Sequence, residues 1–140
     1  MALPQYLNLQ IVSGERSLVN EQVDEVEIPG SEGYFGVLPG HTPMLAMLGV
    51  GELWYRKGGV THYLSIAEGF AEVQPDRVTI LAQIAESADQ IDIARAEAAK
   101  RRAEERLARP VMDIDSDRAR IALLKSLMRL QVAGRARIRS

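Results

Sequence analysis

The chain has 140 residues, a formal net charge of −2 and no cysteine. That length is about one domain's worth of chain, and the absence of cysteine excludes disulfides, thiolate metal centres and cysteine nucleophiles. The small net charge hides a division: residues 1–90 carry 4 Lys/Arg against 12 Asp/Glu, and residues 91–140 carry 13 against 7.

Ten of the eleven glycines also lie in the acidic part, so two modules with different partners are expected, over residues 1–87 and 88–140. The first residues, Met1 to Tyr6, lack the basic and apolar regions of a signal peptide. The longest near-apolar run, Pro43 to Gly51, is far short of the ~20 residues that span a bilayer. A soluble protein is expected, reaching a membrane only through partners.

Leu7, Leu9 and Ile11 alternate with Asn8 and Gln10, the period of a half-buried strand. Val26 and Ile28 alternate with Glu25 and Glu27 before Pro29-Gly30 stops the run. Then comes Gly30 to Pro43, GSEGYFGVLPGHTP, in which Pro39-Gly40 suits the centre of a type II turn. Glycine-rich loops also cradle phosphate, but a phosphate loop feeds a helix and carries a Lys-Ser/Thr pair; neither is present here. Leu53 and Tyr55 alternate up to a hairpin at Gly58-Gly59, expected to supply positive φ angles. Val60, His62, Leu64 and Ile66 return along one face. Phe70 to Val73 is a further short strand, and Val78, Ile80 and Ala82 mark the last. Short strands with regular Gly/Pro punctuation predict a sandwich or barrel.

Ser87 and Asp89 are candidate N-caps for a helix running to Arg109, which Pro110 ends. Ala96, Ala99, Ala103 and Leu107 recur at helical spacing and offer a small-residue face for close helix packing. Asp113, Asp115, Ser116 and Asp117 gather where a second helix should start, complementing its dipole. Ile121, Leu124, Met128 and Val132 form one stripe, and Leu123, Leu127 and Leu130 a neighbouring one. An alanine face covers only part of so wide an arc, so a second contact surface is implied. The tail from Gly134 to Ser140 is basic and expected to fray.

The sequence shows no catalytic constellation. His41 and His62 have no nearby partners for a metal site. Paired carboxylates such as Glu25/Glu27 describe a solvated strand face, and Ser, His and Asp residues lie in no hydrolase-like context. An alternative reading is a nucleic-acid-binding module using Lys100, Arg101, Arg102, Arg106, Arg109 and the Arg-rich tail. Against it, acids interleave with the bases and no aromatic residue follows Phe70.

The run GSEGYFGVLPGHTP resembles the GSEG-x-x-G-x-x-PGH-x-P pattern of the epsilon subunit of F-type ATP synthases. EGFAEVQPDRVTILA at Glu68 to Ala82 and IDIARAEAAKRRAEERL at Ile91 to Leu107 extend the resemblance over essentially the whole chain. It implies an α+β fold in two modules: an N-terminal β-sandwich of about ten strands, then an antiparallel α-helical hairpin. It implies a non-catalytic rotor subunit at the cytoplasmic face of the bacterial cell membrane. The sandwich would bind the gamma subunit and the c-subunit ring. The hairpin would leave the sandwich for the alpha/beta head and restrain ATP hydrolysis, with no cofactor required.

Some members of that family bind regulatory ATP through an I/L-D-x-x-R-A motif. Ile91-Asp92-Ile93-Ala94-Arg95-Ala96 matches it, and Arg102 and Arg129 match assisting arginines. The chain departs at Lys125, where the pattern has arginine; lysine keeps the charge but lacks the planar fork. An Asp92–Arg95 pair that merely stabilises the first helical turn is the alternative. Tyr34 is a second departure, since a carboxylate is common there, in a loop that faces the ring in the family.

Overall fold

Alternating apolar residues set the strands of the first unit. A computed structural model describes residues 3–109 and 113–139, with side chains except at 113–115 and 137–139. The strands are β1 (Leu7–Ser13), β2 (Arg16–Val23), β3 (Glu25–Gly30), β4 (Gly33–Val37), β5 (Met44–Lys57), β6 (Val60–Gln74) and β7 (Arg77–Ser87). They form one sheet in the order β2-β1-β7-β6-β5-β3-β4. β1 and β7 are parallel, pairing Asn8 with Arg77 through Ser13 with Ala82; the remaining registers are antiparallel.

The sheet folds over on itself. β2 and β5 are not neighbours in the sheet order, yet Tyr55 and Lys57 of β5 both bond to Glu21 of β2, at 3.0 and 2.8 Å. Inside lie Leu7, Leu9, Ile11, Ile28, Leu53 and Ile66, all with no exposed surface. The core draws on every strand and ends at Ala85. This is the expected sandwich. Three of the seven strands run 11 to 15 residues, which accounts for the difference from the implied ten. β5 pairs with β6 in constant register from Met44↔Val73 to Lys57↔Val60, with one break between Leu48 and Val50. Opposite that break Glu68 has φ +62° and Gly69 φ +128°. The break halves both strands, and counting halves separately brings the total close to ten.

Turn chemistry follows the sequence at Pro39-Gly40. Gly40 has φ +88°, and the His41 N–H donates to the Leu38 carbonyl at 3.1 Å, closing a type II turn. At Gly58-Gly59 only Gly58 has positive φ. One positive φ at the first central position is the type II′ pattern.

The chain divides into two compact units, Met1–Ala85 and Glu86–Ser140. The second unit begins with a 3-10 turn, η1 (Ala88–Gln90), followed by α1 (Ile93–Ala108) and α2 (Asp113–Arg139). The helix start differs from expectation. Asp92 is the N-cap, its Oδ1 accepting from the Arg95 backbone N–H at 3.0 Å. Ser87 instead donates to Asp89 Oδ1, and no side chain caps η1. The basic tail does not fray as expected: α2 continues to Arg139. Alanine and arginine there are good helix formers. Pro110 lies outside the described residues, as do the side chains of Asp113 and Asp115 and the residue Ser140.

α1 packs along α2. The buried positions at their seam are small and recur every seven residues: Ala96 and Ala103 on α1, Ala119, Ser126 and Ala133 on α2. Ser126 tolerates burial by donating to the Ala122 carbonyl at 2.9 Å. The large residues flank this seam. Ile121, Leu124 and Leu127 are exposed, and of the expected stripes only Val132 is fully buried.

Candidate functional site

Two surfaces are candidates, one in each unit. In the second unit, Asp92 and Arg95 do come together, through the cap: the carboxylate binds the backbone of Arg95 and leaves its side chain exposed. Arg102 is also exposed, seven residues on and therefore on the same face of α1. Arg129 is turned to another partner, its Nε donating to Glu86 Oε1 at 2.6 Å. No hydrogen bond or ion pair among the described residues links the four beyond the Asp92–Arg95 cap. The donor set of three guanidinium groups is chemically suited to phosphate, and two of the three stand exposed for it.

Glu86 was missed by sequence reasoning. Its only signal is a carboxylate at the end of the last strand, and nothing in the spacing pairs it with a residue 43 positions away. Arg101, Arg102 and Arg106 on α1 and Arg109 just after it are exposed, interleaved with exposed Glu97, Glu104 and Glu105. That mixture disperses the positive field that nucleic acid would need.

In the first unit, β4 and the start of β5 line a groove of about 490 Å³ that includes Glu32, Tyr34, His41, Met44, Leu45 and Met47. Tyr34 is 54% exposed, Leu45 69% and Met47 61%. Large apolar residues gathered and exposed in one place mark an interaction surface. Phe70, also exposed, is paired across the strands with Met47. Tyr34 is held rather than loose. Its Oη accepts the Glu52 backbone N–H at 3.1 Å, and its ring lies over Gly51. A Cβ on Gly51 would overlap that oxygen and sit 2.6 Å from Pro29 Cβ. The departure at Tyr34 therefore puts a fixed aromatic face on the groove.

The histidines do other work. His41 donates from Nδ1 to the Thr42 carbonyl at 2.7 Å. His62 stacks on Tyr55 with ring centroids 4.8 Å apart. Lys57, opposed by partial burial, holds the Glu21 carboxyl below its ordinary value, with Tyr55 assisting. Burial, and then the Glu21 bond, push the Tyr55 phenol up. This cluster fastens β2 across the sandwich. Among the described residues no group of three or more His, Asp or Glu is placed to hold a metal, and no helix is long and apolar enough to cross a membrane.

The comparisons with known proteins agree over both units. Residues 6–88 match the family model "ATP synthase, Delta/Epsilon chain, beta-sandwich domain". Residues 89–134 match "ATP synthase, Delta/Epsilon chain, long alpha-helix domain". The chain is 48% identical over 130 residues to the ATP synthase epsilon chain of Nitratidesulfovibrio vulgaris, covering 93% of this chain and 97% of that one. It is 50% identical over 127 residues to that of Syntrophobacter fumaroxidans, covering 91% and 95%. Among solved structures it superposes on a chain of the Euglena gracilis mitochondrial ATP synthase, OSCP/F1/c-ring, with a TM-score of 0.82 at 25% identity, over 95% of this chain and 84% of that chain. A sandwich and a helical hairpin in this order, matched at such identity along nearly the whole length, place the chain in the ATP synthase delta/epsilon family, as an epsilon chain, a non-catalytic subunit of the central stalk.

Proposed function

We propose that the chain works as a rotor subunit at the cytoplasmic face of the bacterial cell membrane. Its sandwich, over residues 1–87, would bind the gamma subunit and the c-subunit ring and so help couple ring rotation to ATP synthesis. Its hairpin, over residues 88–140, would restrain ATP hydrolysis when it extends into the alpha/beta head. One observation carries this reading: each unit keeps a large apolar surface uncovered, the groove at Tyr34, Leu45 and Met47 and the stripe at Ile121, Leu124 and Leu127. A chain that works alone has little reason to leave both in water. The exposed arginines of α1 supply charge that an acidic segment of the head would attract.

The test is capture of partners. The tagged chain should co-purify with a gamma subunit and show no ATP hydrolysis by itself. Robust turnover by the isolated chain would sink the proposal. Replacing Leu45 and Met47 together by serine should weaken the capture by about tenfold or more, since buried apolar anchors carry most interface energy.

A regulatory nucleotide site belongs to the same proposal. Asp92, Arg95, Arg102 and Arg129 would hold ATP on the closed hairpin, with Lys125 contributing a point charge in place of a fork. Calorimetry should register ATP binding to the wild type and about a tenfold loss in Arg95→Ala, the scale of one charge-assisted hydrogen bond. Lys125→Arg should tighten binding. No heat with wild type, or equal affinity in Arg95→Ala, removes the site.

A further inference from the structure

The small-residue seam makes the hairpin weak where it is apolar. Ala96, Ala103, Ala119, Ser126 and Ala133 bury little area each, so the seam itself contributes little hydrophobic energy, and Val132 is the larger side chain of α2 that is fully buried. The larger Ile121, Leu124 and Leu127 are already 38–45% exposed, so they have only part of their surface left to lose when α2 moves. Val132, Ala133 and the part-buried Leu130 hold the far end of α2, and a polar contact beside them adds to that hold.

The Glu86–Arg129 bond is that contact. At 2.6 Å it is short even for a charge-assisted bond. Both side chains are only 28–30% exposed, which reduces screening relative to an open surface pair. It contrasts with Arg120–Asp117, a local pair three residues apart on one helix with both partners mostly in water. Glu86 precedes η1, η1 packs on α2, Ile91 is buried and Asp92 caps α1. The segment 86–92 is thus tied to α1 at one end and, through Arg129, to α2 at the other. Val132 and Ala133, the next residues of α2 that are buried, lie one turn beyond Arg129.

We propose that the Glu86–Arg129 ion pair is the lock of the closed hairpin: while it holds, α2 stays on the 86–92 segment, and the helices separate only when it breaks. Its regulatory meaning rests on the proposed function, but the lock does not, because it acts within one unit without nucleotide or partner.

The experiment is amide hydrogen exchange on the isolated full chain in nucleotide-free buffer. Glu86→Gln and Arg129→Gln should each raise exchange over residues 126–136 about fivefold, the scale of a partly exposed charged pair. The charge-swapped pair Glu86→Arg with Arg129→Glu should recover most of that protection. Amides of β1 and β7 up to Ala82 should be unchanged, showing the sandwich intact. Raising the salt concentration should also speed exchange at 126–136 in the unmodified chain. Unaltered exchange in the single variants, or a swapped pair no better protected than they are, overturns the lock. A loss of nucleotide binding with the lock intact would bear only on the ATP site.

Discussion

Gly69→Ala is expected to destabilise the sandwich by about 3 kcal/mol or more, a large part of a typical domain's ~5–15 kcal/mol. Gly69 has φ +128°, which L side chains rarely adopt. A Cβ there would overlap the Leu81 carbonyl oxygen and sit 2.9 Å from Ala82 Cα. These are backbone atoms of β7, the next strand in the sheet, so no side chain can rotate away. The strand itself would have to move. Gly36→Ala is the control: its Cβ would meet nothing within 4 Å, and the change should be below about 1 kcal/mol. Urea midpoints of the two variants measure the difference. Equal midpoints would show that β7 yields freely at Leu81. The position also bears on function, because Gly69 sits at the break between the half-hairpin 44–48/69–73 and the rest of β5 and β6. That half carries Leu45, Met47 and Phe70, so Gly69→Ala should lose gamma capture at temperatures where the rest of the sandwich is still folded.

The fold was legible wherever one face is buried and the other wet. β1, β3 and the second half of β5 alternate cleanly, and their apolar residues are the core. β2 was not foreseen. It is an edge strand with Arg16, Ser17 and Asn20 exposed and only Val23 fully buried, so its pattern carries no period. β4 was hidden for the opposite reason: its glycines read as turn chemistry, although it pairs with β3 over five residues. In the hairpin, the alanine stripe correctly marked the buried face of α1. The wide leucine and methionine arc of α2 is only partly covered, as expected: Val132 is buried, while Ile121, Leu124 and Leu127 stay exposed beside the close seam of Ala119, Ser126 and Ala133.

The candidate sites were legible to different degrees. Asp92 and Arg95 are close in sequence and therefore close in space, and the helix-capping alternative describes what Asp92 does here. Arg129 was picked out by resemblance, but its partner Glu86 depends on how the chain returns after 43 residues, which no local pattern encodes. The groove at Tyr34 joins residues 30–35 to 41–47. Its glycines and prolines were visible, but its character as an apolar surface needed the pairing of strands that leaves Leu45 and Met47 outside.

Truncation after Ser87 is expected to raise ATP hydrolysis by the assembled enzyme while leaving synthesis coupled. The sandwich should survive the cut. Its core cluster ends at Ala85 and takes no residue from η1, α1 or α2, so residues 1–87 retain the burial that stabilises the unit. Glu86 loses Arg129, but it then lies near the new terminus, where water replaces the bond at little cost. The truncated chain should therefore still bind the stalk through its groove. What disappears is the exposed stripe of α2 and the arginines of α1, the surfaces proposed to hold the head. If those contacts stabilise the inhibited state by about 1.4 kcal/mol, their removal speeds hydrolysis about tenfold. Hydrolysis and proton-driven synthesis measured on the same membranes separate the two roles. Unchanged hydrolysis with the truncated chain incorporated would mean that the hairpin is no brake in this enzyme. Loss of synthesis would mean that coupling needs more of the chain than the sandwich.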